Sequence, residues 1–124
     1  MSVREPQDIH KKFQDAFSSG DLDGLVALYE PNAILVSGQG QIATGQDAIR
    51  EVYKGYLAMR PKITVETVSV FENADAALLH GRWNITGAGP DGSPISMQGR
   101  NTEVLRRQAD GSWLFYIDNP FTPE

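Results

Sequence analysis

The stretch Ser96-Met97-Gln98-Gly99-Arg100-Asn101-Thr102-Glu103-Val104-Leu105-Arg106-Arg107-Gln108 decides the fold, together with the turn and strand after it. It reads as one long strand. Asp110-Gly111 is a tight turn, and Ser112 to Asp118 alternates as a last strand. Working upstream, Ile63 to Phe71 is rich in Val, Thr and Ile, which suit a pleated surface. Asn73 to Asp75 reads as a turn and Ala76 to Thr86 as a strand. The Gly/Pro-rich stretch from Gly87 to Pro94 is a hairpin loop with Asp91-Gly92 at its tip. The second half of the chain is therefore a meander of four strands.

The first half is helical. Ile9, Phe13, Ala16 and Phe17 lie on one helix face, and Gly20 is placed to end that helix. Asp21 is an N-cap for a short second helix carrying Leu22, Leu25, Val26, Leu28 and Tyr29, which Pro31 stops. Ala33 to Ser37 is a short strand, followed by the turn Gly38-Gln39-Gly40. Thr44 and Asp47 have capping-box spacing for a third helix. Its apolar stripe is Ala48, Ile49, Val52, Tyr53, Tyr56 and Leu57, and Pro61 closes the helical half. Helices followed by strands predict an α+β fold, with the helices packed on one face of an antiparallel sheet.

The 124 residues make one domain, spanning 1–124, with no repeat or internal linker. The chain has no cysteine, which excludes disulfides, thiolate nucleophiles and cysteine-bound metals. A net charge of -5 argues against a nucleic-acid or anionic-membrane partner. Met1-Ser2-Val3-Arg4-Glu5-Pro6 lacks the apolar core of a signal peptide, and no run approaches the roughly 20 apolar residues of a membrane span. The expected location is cytoplasmic. The two histidines, His10 and His80, have no metal-ligand spacing, so no metal is expected. His10 sits beside Lys11 and Lys12 and reads as part of a solvated helix face. Gly38-Gln39-Gly40 is not a phosphate or dinucleotide loop, and no cofactor is expected.

The ordered set Gly20-Asp21-Leu22-Asp23-Gly24-Leu25-Val26-Ala27-Leu28-Tyr29, Ala33-Ile34-Leu35-Val36, Thr44-Gly45-Gln46-Asp47-Ala48-Ile49, Arg100 to Arg107 and Asp110-Gly111-Ser112-Trp113 resembles SnoaL-like and ketosteroid isomerase-like proteins. These belong to the nuclear transport factor 2-like superfamily, and the likeness covers nearly the whole chain. The resemblance implies a cystatin-like cone. In it the helices pack in the concave face of a curved mixed or antiparallel sheet, leaving a mostly apolar pocket. It also implies a homodimer through the sheet and a small apolar ligand with a carbonyl or hydroxyl. The isomerase's donor tyrosine falls on Phe13 and its base aspartate on Ser37, so that enzyme's mechanism does not carry over. Its oxyanion-hole acid falls on Glu103 and its helper tyrosine on Tyr53.

If Asp91-Gly92 is a two-residue turn, Glu103 faces His80 with Cβ atoms about 5 Å apart. Arg82, Asn84 and Asn101 then share their face. If the loop is longer, that face is the solvated one. The resemblance points Tyr116 and Asp118 into the pocket mouth, whereas Asp118-Asn119-Pro120 also reads as a strand terminator. Tyr29 reads as core, Tyr53 as pocket wall, and Trp83 as pocket lining or dimer interface. Trp113 reads as core or interface, and Arg100, Arg106 and Arg107 as surface ion-pairing residues. The expected function is a small-molecule-binding protein or cofactor-free isomerase, dehydratase or cyclase. Glu103, Asp118 and His80 are its candidate catalytic residues. Phe13, Ser37, Tyr53, Trp83, Asn101 and Tyr116 are the candidate ligand contacts. The alternative is a non-catalytic association module like that of calcium/calmodulin-dependent kinase II.

Overall fold

The structure is a computed structural model that describes residues 2–38 and 40–123. Gln39, in the expected Gly38-Gln39-Gly40 turn, lies outside the described residues. After a 3-10 turn at Pro6–Asp8, the chain forms helix α1 (Ile9–Ser19), helix α2 (Leu22–Val26) and strand β1 (Tyr29–Gly38). Strand β2 (Gln41–Thr44) and helix α3 (Gln46–Leu57) follow. Strands β3 (Lys62–Asn73), β4 (Ala76–Ala88), β5 (Pro94–Arg107) and β6 (Trp113–Thr122) complete the fold. Among the described residues the strands form one sheet in the order β2-β1-β6-β5-β4-β3. The β1–β6 pair is parallel and the rest are antiparallel. This is the expected α+β architecture of three helices on a sheet, with one parallel pair that makes the sheet mixed.

Local chemistry explains most boundaries. Gly20 ends α1 in the left-handed conformation and returns its N–H to Ala16 and Phe17. Asp21 caps α2 by accepting from the Gly24 N–H at 2.9 Å. Three local readings need correction. α2 stops at Val26, so Tyr29 and Pro31 belong to β1. Pro31 is tolerated there because the β1–β6 register breaks between Tyr29 and Ile34, where a missing N–H removes no ladder bond. Thr44 closes β2 rather than capping α3, whose cap is Gly45 with no side-chain bond. The four residues of β2 are too few to show a strand period in sequence.

The sheet has two distinct faces. One transverse row runs Val70, Leu79, Glu103, Asp118, Leu35 and Ala43 in register, and all but Val70 are buried. This row faces the helices. The adjacent row, Phe71, Leu78, Val104, Ile117 and Ile34, takes the opposite face. The core gathers Ile9, Phe17, Leu25, Ile49, Leu79, Leu105, Trp113 and Phe115 between helices and sheet. α1 is tied to β3 by Gln14, which accepts from the Val65 N–H, and by Ser18, which accepts from the Ile63 N–H. No helix among the described residues is long and apolar enough to cross a membrane.

Candidate functional site

Between α1, α3 and the inner sheet face lies a cavity of about 80 Å³. A single water needs only roughly 10–15 Å³. Phe13 and Phe17 of α1, Tyr53 and Tyr56 of α3, and Trp83, Phe115 and Phe121 of the sheet wall it. The polar groups gather on His10, Asn101, Glu103 and Asp118, with Ser37 also on the lining. The lining is thus mostly apolar, with its polar groups confined to a few side chains.

Two buried carboxylic acids stand side by side here. Glu103 and Asp118 are register partners across β5 and β6 and are 3% and 5% exposed. Burial raises the Asp118 pKa well above its ordinary value, and the charge of Glu103 raises it further. The hydroxyl of Tyr29 opposes this, donating to Asp118 Oδ2 at 2.5 Å. Tyr53 Oη lies 2.5 Å from Tyr29 Oη. Since Tyr29 has one proton, and it goes to Asp118, Tyr53 donates to Tyr29. Burial, followed by the charge of Asp118, pushes both phenols up, so both keep their protons.

Glu103 has its own set of partners. His10 Nε2 lies 2.6 Å from Glu103 Oε1, and Asn101 Nδ2 donates to Glu103 Oε2 at 2.6 Å. His10 Nδ1 meets the Thr67 hydroxyl at 2.6 Å on the far side. With Nε2 facing a carboxylate, that nitrogen carries the proton, and Thr67 fixes the ring plane.

Of the candidate residues, Phe13, Ser37, Tyr53, Trp83, Asn101, Glu103 and Asp118 line this cavity. Tyr29 is core, as expected, and also holds Asp118. Trp113 is buried in the core, and the Trp83 indole donates to the Pro120 carbonyl at 2.7 Å. Arg106 and Arg107 make surface ion pairs with Glu30 and Asp75.

Two expected residues lie elsewhere. The β4–β5 loop is longer than two residues, since Ala88 pairs with Pro94, so Glu103 faces Leu79 and His80 faces Thr102. His80 therefore turns to the outer face and meets the Ser69 hydroxyl at 3.0 Å. Arg82 and Asn84 share that outer face, and both line a separate polar cleft. Tyr116 is displaced by a bulge. The β5–β6 register shifts between Val104↔Ile117 and Leu105↔Phe115, so Phe115 and Asp118 both face inward. Tyr116 instead packs outside, beneath the Arg106 guanidinium, 3.7 Å from its ring centre.

The imidazole beside Glu103 is His10, which is 3% exposed and not on a solvated face. Its neighbours Lys11 and Lys12 hide the signal. His10, Phe13 and Phe17 stand at i, i+3 and i+7, one helical face, and that spacing could have found it. No three His, Asp or Glu side chains among the described residues are grouped to hold a metal ion.

A model of the SnoaL-like domain matches residues 10–116. No curated protein sequence matches the chain. Solved structures do. A ketosteroid isomerase-like protein from Erwinia carotovora atroseptica is 21% identical with a TM-score of 0.80, covering 94% of each chain. An NTF2-like protein with a cystatin-like fold from Novosphingobium aromaticivorans is 16% identical with a TM-score of 0.75, covering 91% of this chain and 78% of that one. A protein from Xanthomonas campestris, described as a calcium/calmodulin-dependent protein kinase II association domain, is 21% identical with a TM-score of 0.75. It covers 95% of this chain and 86% of its own. These likenesses establish a shared NTF2-like, cystatin-like fold. With the family match spanning most of its length, the chain belongs to the SnoaL-like domain family.

Proposed function

We propose that this protein binds a small, mostly apolar molecule in the inner cavity and transfers protons on it. The observation that carries this reading is the Glu103–Asp118 register pair in a mostly apolar cleft. Structural economy alone would place opposite charges, or none, at such positions. Two adjacent acids with one held protonated give the complementary halves of acid–base catalysis. Asp118 is the acid. It gives its proton to an oxygen on the ligand. Glu103, oriented by His10 and Asn101, is the base that takes a proton from a neighbouring carbon. Isomerisation, dehydration and cyclisation all fit this step, which needs only a carboxylic acid and a carboxylate.

A screen of small ketones, alcohols and phenols by thermal shift and ligand-observed NMR tests the binding half. Hydrogen–deuterium exchange at the carbon beside the oxygen of a bound ligand tests the catalytic half. Asp118→Asn is expected to keep binding and lose exchange. If no such molecule binds, the reading is wrong. If binding occurs and exchange does not, the protein is a binding protein only.

We further propose that a second copy of the chain covers the outer sheet face. Phe71, Leu78 and Ile117 are exposed there in one register row, with Val104 between them. The association-domain description of one structural neighbour supports a like copy as the occupant. Light scattering should give a dimer, and Leu78→Lys should give a monomer with its fold intact. A monomeric wild-type protein would contradict this.

A further inference from the structure

One residue of the cavity lining, Asn101, carries a polar atom that the described residues leave unsatisfied. Asn101 is 4% exposed, and its Oδ1 has no hydrogen-bond partner among the described residues. The amide orientation is set by its other atom. Asn101 Nδ2 faces an acceptor, Glu103 Oε2 at 2.6 Å, so the nitrogen belongs on that side. The carbonyl oxygen is then free to accept. Room for it is built into the sheet. Asn101 pairs with Gly81, where an added Cβ would come within 3.0 Å of Oδ1 and 2.8 Å of Nδ2. A buried acceptor without a donor is costly, and native structures keep few of them. One that lines a cleft is positioned for a ligand.

Resting on the reading of the cavity as a small-molecule site, we infer that its ligand presents a hydrogen-bond donor to Asn101 Oδ1. The ligand class is thus an apolar ring bearing a hydroxyl, rather than a simple ketone or hydrocarbon. The carbonyl oxygen of a ketone brings a second acceptor to an acceptor and gains nothing there. A hydroxyl satisfies Oδ1, and the ring takes the aromatic walls provided by Phe13, Tyr53 and Phe115.

The test compares probes matched in shape. The dissociation constants of para-cresol and para-fluorotoluene, and of cyclohexanol and cyclohexanone, are measured by NMR titration on the wild-type protein and on Asn101→Leu. Each hydroxylated probe is expected to bind wild type on the order of tenfold more tightly than its partner. Asn101→Leu should bring that ratio close to one. Equal binding within each wild-type pair, or a preference for the ketone, overturns the inference and leaves the small-molecule reading standing. A ratio that survives in Asn101→Leu also overturns it, because the donor then meets another acceptor. Failure of all four probes to bind overturns both. If Asn101→Leu does not fold, the ratios are read on Asn101→Ala instead, where loss of the amide carbonyl should again bring them close to one.

Discussion

Glu30 and Asp118 are both nearly out of solvent, at 7% and 5% exposure, yet their surroundings drive them in opposite directions. Glu30, on β1, receives two hydrogen bonds from Arg106 and one from Gln108. These bonds, those of Arg106 foremost, hold its carboxyl below the usual range. Asp118, on the neighbouring β6, faces a second acid and one phenol, and its carboxyl is pushed up. Consecutive residues make the contrast. Tyr29 points inward to Asp118, and Glu30 points to Arg106. The outer face neutralises its acid with a guanidinium, whereas the inner face sets Asp118 beside a second acid, Glu103, whose own partners are His10 and Asn101. A fold optimised for stability alone would treat both the same way, and this difference is what supports the proposed acid–base role of the inner pair.

The sharpest way to break the comparison is to remove the inner acids. Asp118→Asn and Glu103→Gln should each lower proton-transfer activity by about a hundredfold or more, read as exchange rates at saturating ligand. Asp118→Asn should leave thermal stability unchanged or higher, because it relieves two acids of each other. Loss of folding in Asp118→Asn would mean that the acid is structural.

Tyr29→Phe should have a smaller effect. It removes the donor to Asp118 and the acceptor for Tyr53, and should cost about 1–2 kcal/mol in a denaturant titration. Tyr29 is the group that lowers the Asp118 pKa, so this variant should also move the Asp118 titration further up.

The pH dependence of stability separates the two acids. Asp118 holds its proton more tightly folded than unfolded. Its folded state therefore weakens as pH rises from the ordinary aspartate value of 3.8 through the raised folded value. Glu30 behaves in the usual way, contributing above its unfolded value of 4.5 and losing that contribution as pH falls through its lowered folded value. Asp118→Asn should therefore gain stability over wild type as pH rises above 3.8 toward the raised folded value. Arg106→Met should lose most of its deficit in acid. Because Arg106 is half exposed, its removal should produce the smallest shift in melting temperature of the set.

The sequence is informative wherever a short-range pattern suffices. The strand carrying Asn101 and Glu103 is legible from its length and turn, and Phe13 and Tyr53 from helical spacing. Asp118 is reached only through the resemblance, and the expected strand terminator Asp118-Asn119-Pro120 fails because β6 continues to Thr122. What escapes depends on register. The extra length of the loop between Ala88 and Pro94 sends His80 outward, and a bulge in β6 at Tyr116, opposite Val104 and Leu105, sends Tyr116 after it. Neither shift has a local energetic signature, because each is decided by how whole strands pair. His10 escapes for a different reason. Two lysines beside it suggest solvent, although a helix turns a neighbour about 100° away. An imidazole does stand beside Glu103, but it belongs to His10 rather than His80.

The most direct test is a carbon-13 NMR titration of the Asp118 side-chain carboxyl in the wild-type protein. The account predicts a midpoint well above 3.8, with a shift toward the ordinary value when Glu103 is replaced by Gln. A midpoint at or below 3.8 would show Asp118 to be a stabilised carboxylate like Glu30, and the inner pair would lose its claim to acid–base work.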